Sequence, residues 1–140
     1  MSNSLEYHVE EWALLALAQI TGITALSFRH KSDEDAADDN CILASVTLGK
    51  RKLEGDRPYE GHLAIEMRLR QDVADSARLD YWRAVLAALA APTSSTAAAY
   101  KAANFPRGFI LHEEDCEQDK ELWSENFRHT IRTIPFELEP

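Results

Sequence analysis

The sequence has little of what marks a membrane-spanning, secreted or nucleic-acid-binding protein. No apolar run approaches the roughly 20 residues needed to cross a bilayer. The first residues are polar, whereas a secretory signal peptide opens with a basic segment followed by an apolar one. Lys and Arg number 15 against 24 Asp and Glu, so the formal net charge is −9. Because a phosphate backbone is bound mainly by Lys and Arg, we expect no specific nucleic-acid partner. The lack of a long apolar run predicts no membrane span.

Cysteine is scarce too, which argues against a disulfide framework. Cys41 and Cys116 lie far apart, each next to residues with a strand pattern. A chain of 140 residues with 45% hydrophobic and 28% charged residues can bury one ordinary hydrophobic core without disulfide bonds to stabilise it. We therefore expect a single domain over residues 1–140 and two reduced, packed thiols.

The spacing of apolar residues predicts a first helix that reaches from Val9 to Ile20. Asn3 and Glu6 form a plausible capping pair ahead of it. Gly22 offers the left-handed conformation that commonly closes a helix, so we expect the helix to end just before it.

A second amphipathic helix is predicted over residues 76–90. Leu79 opens its apolar stripe, whereas Arg78 lies off the stripe, and Pro92 ends the helix. Residues 93–104 have the alanine content of a short third helix but few large apolar side chains to anchor one.

The sequence pattern predicts five strands. Four are expected over residues 23–30, 41–48, 62–70 and 127–138, and another starts with residues 109–111. The alternation is cleanest over 62–70, where one face is apolar and the other polar, as in an antiparallel sheet. The expected fold class is α+β: a mostly antiparallel sheet of four to five strands packed against two main helices, in the order α-β-β-β-α-(α)-β-β.

The last predicted strand changes its alternation part-way along. A β-bulge or bend near Thr133 would bring both apolar sets to one face. Pro135 further suggests that this part of the strand pairs on one side only or lies at a sheet edge. The two sets of opposite parity are Phe127, His129, Ile131 and Thr133, and then Ile134, Phe136 and Leu138.

Two charged segments separate the first strands. Residues 33–39 are too acidic and too poor in apolar side chains to bury anything, so they are expected to be an exposed loop. Residues 49–61 combine glycines, Pro58 and several charges, which is typical of a long turn or a flexible hairpin arm.

None of the sequence motifs builds a catalytic or phosphate-binding site. Residues 33–44 fail as a calcium loop, because Asp38 stands where glycine is needed and Ala44 where a glutamate should close the shell. Gly49 and Lys50 fail as the end of a phosphate loop, because Arg51 replaces the hydroxyl residue that would hold magnesium. We therefore expect no catalytic and no cofactor-binding residue.

The run from His112 to Cys116 is the one local cluster of metal-ligand residue types. On a strand, neighbouring side chains point to alternate faces, so only alternate members of the run could share one ion. No metal site is expected here.

Two passages resemble the tail-terminator and tail-completion proteins of tailed bacteriophages. Residues 62–70, His-Leu-Ala-Ile-Glu-Met-Arg-Leu-Arg, followed by a gap and an amphipathic helix, look like the central strand and helix of that family. Residues 128–138, Arg-His-Thr-Ile-Arg-Thr-Ile-Pro-Phe-Glu-Leu, look like its closing strand. The similarity is one of pattern and length and covers most of the chain.

The resemblance implies a non-enzymatic α+β subunit that forms a ring, commonly a hexamer, where the tail tube meets the head. Its partners would be copies of itself and the tail-tube and head-completion proteins, first in the bacterial cytoplasm and then in the virion tail. An acidic lumen would repel passing DNA. Two alternatives stay open: a soluble adaptor or ligand-binding module of non-phage origin, and a small enzyme with its acid–base groups spread over strands.

The segments that are not expected in the core are the candidates for contact with partner proteins. The strand over 62–70 and the helix over 76–90 are expected in the core. Trp123 lies in a polar, acidic stretch and is expected to be exposed, and exposed aromatic residues are enriched where proteins meet. With the charged loops and the final strand, this gives six interface candidates: Lys50, Arg51, Lys52, Tyr59, Trp123 and Phe127.

Overall fold

The computed structural model describes residues 5–18, 26–31, 40–48, 59–91, 95–124 and 126–138, and it confirms the α+β fold class. The predicted cap at Asn3 and the predicted helix end at Gly22 lie outside these residues. The helices are α1 (Leu5–Ala18), α2 (Asp75–Ala90), α3 (Ser95–Asn104) and a 3-10 turn (Glu113–Asp115). The strands are β1 (Ser27–His30), β2 (Cys41–Leu48), β3 (Tyr59–Arg70), β4 (Phe109–Leu111), β5 (Glu117–Trp123) and β6 (Phe127–Leu138).

The strands of the described residues form one sheet in the order β1-β2-β3-β6-β4, and β5 also pairs with β6. β1 runs parallel to β2, and the remaining pairs are antiparallel. β3 and β6 pair over their whole length, from Tyr59 opposite Leu138 to Arg70 opposite Phe127. β5 was not predicted, because its sequence Glu-Gln-Asp-Lys-Glu-Leu-Trp has no apolar alternation and becomes a strand by pairing with β6.

The expected bulge near Thr133 is wrong. β6 keeps an unbroken register with β3, and the irregularity lies in β5 instead, between Gln118 and Lys120. The two apolar sets of β6 therefore lie on opposite faces of the sheet, since successive strand residues alternate. Ile134, Phe136 and Leu138 are buried in the core, and the other set is only partly buried.

The alternative that Pro135 lies at a sheet edge is wrong, because β6 has β3 on one side and β4 and β5 on the other. The alternative of pairing on one side only holds at Pro135 itself, whose strand partner is His62 of β3. Pro135 lies between the residues that pair with β5 and those that pair with β4. Its carbonyl accepts from the His112 N–H at 2.9 Å. Since N and C=O of one strand residue point the same way, the missing N–H faces this gap and costs no bond in the β3 ladder.

The core lies between the sheet and the helices. Val9, Trp12 and Leu17 of α1 pack with alternate residues of β2 and β3, such as Ile42 and Ile65, all of them buried. α3 is held by buried Ala97 and by Phe105 directly after it. Aromatic rings join these elements in edge-on, stacked and tilted contacts, with centroid separations of 4.9 Å for Trp12–Phe109, 5.2 Å for Phe105–Phe109 and 5.6 Å for Phe109–Phe136 respectively.

The first turn of α2 reverses the expected burial of two neighbours. Leu79 is 51% exposed, whereas Arg78 is 6% exposed. The guanidinium of Arg78 donates to the carbonyl oxygens of Arg70, at 2.7 Å, and Val73, at 3.2 Å. The turn that links β3 to α2 leaves these part-buried carbonyls without strand partners, and Arg78 supplies a donor to each, beside the Val73 N–H that also donates to Arg70.

Both cysteines are free thiols, as predicted; Cys41 is buried and Cys116 partly buried. Burial raises the pKa of the Cys41 thiol. No helix in the described part of the chain has the length and apolar character needed to traverse a bilayer.

Candidate functional site

The six interface candidates fall into three groups. Lys50, Arg51 and Lys52 lie outside the described residues, as do the predicted loop over 33–39 and most of the segment over 49–61. Tyr59 opens β3 opposite Leu138, but its side chain is outside the described part of the structure. Trp123 and Phe127 are described in full, and they lie on opposite faces of the sheet.

Trp123 ends β5 with 61% of its surface exposed, as its sequence context predicted. Its cross-strand partner is Arg128 of β6, whose guanidinium carbon lies 5.1 Å from the Trp123 ring centroid. Arg128 also donates to Asp75 of α2, at 2.7 Å, and to Glu121 of β5. These two carboxylates, that of Glu121 foremost, raise the pKa of Arg128 and fix its side chain beside the indole.

A groove of about 230 Å³ separates α2 from β5 and β6 beside this stack. Leu79 stands exposed on its α2 side, and the Arg132 guanidinium covers the buried Trp82 ring at 4.7 Å. We call it the α2–β5 groove. Its lining residues are Asp75, Arg78, Leu79, Trp82, Glu121, Arg128, Thr130 and Arg132.

The α2–β5 groove has the composition of a protein interface. Exposed Trp and Leu side chains flank ion pairs, and Trp and Arg are the residue types most enriched among binding hot spots. The sequence pointed to Trp123 by its polar context. It could not point to Arg128, which the pairing of β5 with β6 places opposite Trp123, or to Leu79, which lines the groove because of how α2 lies against the sheet.

Phe127 belongs to the face of the sheet opposite α1 and α2, which we call the open face. Its ring is partly buried between the guanidinium carbons of Arg70, at 5.4 Å, and Arg68, at 6.0 Å from the ring centroid. The His129 ring meets it edge-on at 6.5 Å. Phe127 is therefore a component of a charged cluster and a smaller part of the free surface than Trp123.

Glu66 lies at the centre of this cluster. The polar face of β3 was expected to be solvated, but Glu66 is only 6% exposed. Its two carboxylate oxygens meet Lys31 Nζ at 3.0 Å and His129 Nδ1 at 3.2 Å, and Arg68 lies 3.9 Å away. Burying a carboxylate is costly unless it is paired and hydrogen-bonded, and these three partners satisfy that requirement.

A cavity of about 580 Å³ opens near the other end of β6, between His62 and the run from Glu114 to Glu117. The expectation that His112 and its acidic neighbours alternate on a strand is wrong, because residues 113–115 form a 3-10 turn. The turn brings ligand atoms of His112, Glu114 and Asp115 within 4.8 Å of one another. Both carboxylate residues are exposed, and such clusters are common on acidic surfaces, so we assign no ion to it.

Comparison of the chain with protein-family models and with curated proteins found no match. The features that bear on the function of the protein are therefore its fold, the α2–β5 groove and the charged residues of the open face.

Proposed function

We propose that this protein is a structural subunit that assembles with copies of itself into a ring, as the phage tail-terminator and tail-completion proteins do. The α+β architecture is the one that the resemblance implies, and the order of its elements agrees apart from the added strand β5. Under this proposal its further partners are tail-tube and head-completion proteins, met in the bacterial cytoplasm and retained in the virion tail. The net charge of −9 supports a role as a passage for DNA more than as a DNA-binding surface.

The observation that carries the proposal is Trp123, held by Arg128 on the rim of the α2–β5 groove. A tryptophan that is 61% exposed offers about 150 Å² of surface, and covering it would contribute about 3–4 kcal/mol. The ring is already oriented by its stack on Arg128, so little side-chain entropy is lost on contact. Ion pairs around it supply the polar rim that shields a hot spot from water.

A ring needs a heterologous contact, in which one surface of a copy meets a different surface of the next. The α2–β5 groove suits one half of such a contact, because it is concave and lies at the end of the sheet next to the β5 edge. Repetition of the contact closes into a ring when the rotation between copies divides a full turn evenly.

The experiment is the oligomeric state over a wide concentration range, measured by light scattering and sedimentation velocity. A hexamer would weigh about 95 kDa, six times the 15.8 kDa of the chain. Trp123→Ala should weaken each contact by about 2–4 kcal/mol, at least thirtyfold in dissociation constant. Ile110→Ala is the matched control, because Ile110 is 56% exposed but lies on β4, outside the groove.

Two outcomes would overturn the proposal. One is a wild-type protein that stays at the monomer mass of 15.8 kDa at every concentration. The other is a Trp123→Ala variant that assembles as the wild type does. Circular dichroism of both variants separates loss of assembly from loss of fold.

A further inference from the structure

The β5–β6 hairpin presents a second group of residues on the open face, outside the α2–β5 groove. Ser124 Oγ lies 3.1 Å from His129 Nε2, and His129 Nδ1 lies 3.2 Å from Glu66 Oε2. This is a continuous chain of hydroxyl, imidazole and carboxylate, with a different ring nitrogen at each contact. We propose that Ser124, His129 and Glu66 form a nucleophilic triad that transfers acyl groups and hydrolyses carboxylic esters.

The order of the three groups is the one that activates a serine. The nucleophile must reach one nitrogen of the base, and a carboxylate must hold the other nitrogen so that the first is free to accept a proton. The same arrangement recurs on unrelated folds, so it is recognised by geometry and not by sequence order. Both distances lie at the outer end of hydrogen-bond reach, as is common before substrate binds.

Rigid elements hold each group in place. Ser124 lies in the hairpin turn, where its N–H donates to the Phe127 carbonyl at 2.9 Å. Its hydroxyl lies 3.4 Å from the same carbonyl oxygen, a longer contact than the 3.1 Å to His129 Nε2. His129 lies on β6 directly opposite Arg68 of β3, so Glu66 is its diagonal neighbour on the same face. The register of two twelve-residue strands therefore sets the distance between base and carboxylate.

Burial follows the requirements of the chemistry. The side chains of Glu66 and His129 are 8% and 14% exposed, whereas Ser124 is open to solvent. Lys31 binds Glu66 Oε1 at 3.0 Å, and Oε2 meets His129 Nδ1 at 3.2 Å and the Arg68 guanidinium at 3.9 Å. A sheltered carboxylate orients and stabilises the imidazolium that forms, and an exposed hydroxyl admits the substrate.

A cavity of about 230 Å³ next to Ser124 gives the substrate a place to bind. Its lining is Arg70, Gln71, Asp72 and Asn126, and the Gln71 side chain donates to the Ser124 carbonyl at 2.6 Å. The size suits a short acyl chain. The guanidinium of Arg70 lies over the Phe127 ring at 5.4 Å, on the open face with Ser124, and supplies positive charge for an oxyanion.

The reaction balances with water as the only co-reactant. Ser124 Oγ attacks the ester carbonyl carbon while its proton passes to His129 Nε2. The carbon–oxygen bond to the alcohol then breaks, and the alcohol leaves with the proton from His129. Water attacks the acyl-serine in the same way, with His129 as base, and releases the carboxylic acid and the free serine.

The test uses the full chain with two probes, a fluorophosphonate that labels activated serines and p-nitrophenyl acetate. We expect one label per chain, located at Ser124 by mass spectrometry. Ser124→Ala should abolish both labelling and hydrolysis above the buffer rate, and His129→Gln should lower kcat at least a hundredfold. Ser76→Ala is the matched control, because Ser76 is an exposed serine outside the triad and should leave both readouts unchanged.

Glu66 acts through His129 and is therefore a positioning residue. Glu66→Gln should lower kcat and alter its pH profile while KM stays the same, which a loss of packing alone would not do. The proposal is wrong if the wild-type chain takes no label at Ser124, or if Ser124→Ala hydrolyses the ester as fast as the wild type. Neither readout depends on ring assembly, so the two proposals can fail separately.

Discussion

Gly61 provides a direct test of how the three central strands pair. The sequence places it at the end of a long turn, over residues 49–61, but the structure places it inside β3, buried between β2 and β6. An added Cβ would lie 2.6 Å from Phe136 Cζ and 2.8 Å from the Thr47 carbonyl oxygen. The φ angle of Gly61 is not positive, so Gly61→Ala introduces no backbone strain. Its cost comes from the steric clash of the new Cβ with these two atoms.

The size of the effect follows from what would have to move. The Phe136 ring is packed against Phe109, and the Thr47 oxygen belongs to the β2 backbone. Overpacking a core costs about 1–3 kcal/mol, and we expect about 3 kcal/mol here because one obstacle is backbone. For a domain of this size, that loss lowers the melting temperature by about 10 °C.

Differential scanning calorimetry and urea unfolding of Gly61→Ala provide the measurement. If Gly61 lay in a flexible turn, alanine would instead be neutral or would stabilise the protein by about 0.4–1 kcal/mol. An unchanged or raised melting temperature would therefore refute the register. Phe136→Leu in the Gly61→Ala background should restore about 1 kcal/mol relative to additivity, because it removes the nearest ring atoms.

Two further predictions concern α2 and α1. Arg78→Met should cost about 1–3 kcal/mol, because it removes the guanidinium donors to the carbonyls of Val73 and Arg70, and the Arg70 carbonyl then keeps only the Val73 N–H at 3.1 Å. Leu79→Gln should change stability by less than about 0.5 kcal/mol. Chemical denaturation of dilute protein compares the two variants, and equal losses would contradict the assignment. Burial raises the pKa of Glu10, so the folded state holds this proton more tightly than the unfolded state. The contribution of Glu10 to stability should therefore fall as the pH rises above its unfolded-state pKa of about 4.3, and Glu10→Gln should remove that part of the pH dependence. Parallel plots of melting temperature against pH for the two proteins would contradict this.

Local patterns predicted most of the secondary structure. The strand over 41–48 was expected with the bounds that it has, and a strand was expected to start at Phe109, as β4 does. The periodicity of a segment depends on which of its faces is buried, and for these elements a single burial pattern holds from end to end. Such information is present in the segment itself.

Patterns were misleading where a segment takes its conformation from a neighbour. β5 is a strand because its backbone pairs with that of β6, although its own residues are mostly charged or polar. Arg78 is buried because its guanidinium donates to the carbonyls of Arg70 and Val73 in the turn after β3, and its neighbour Leu79 is left exposed. Glu66 is buried because cations from other segments surround it.

The sequence by itself determined the fold class, the main helices, most of the strands and the exposure of Trp123, since each depends on residues close together in the chain. Tertiary structure alone decided which residues meet. Ser124, His129 and Glu66 come from a turn and two strands. Trp123 meets Arg128 through the pairing of β5 with β6, and Leu79 lines the same groove as Arg128 because α2 lies against the sheet. Contacts of this kind depend on strand register and helix placement, which no local periodicity encodes.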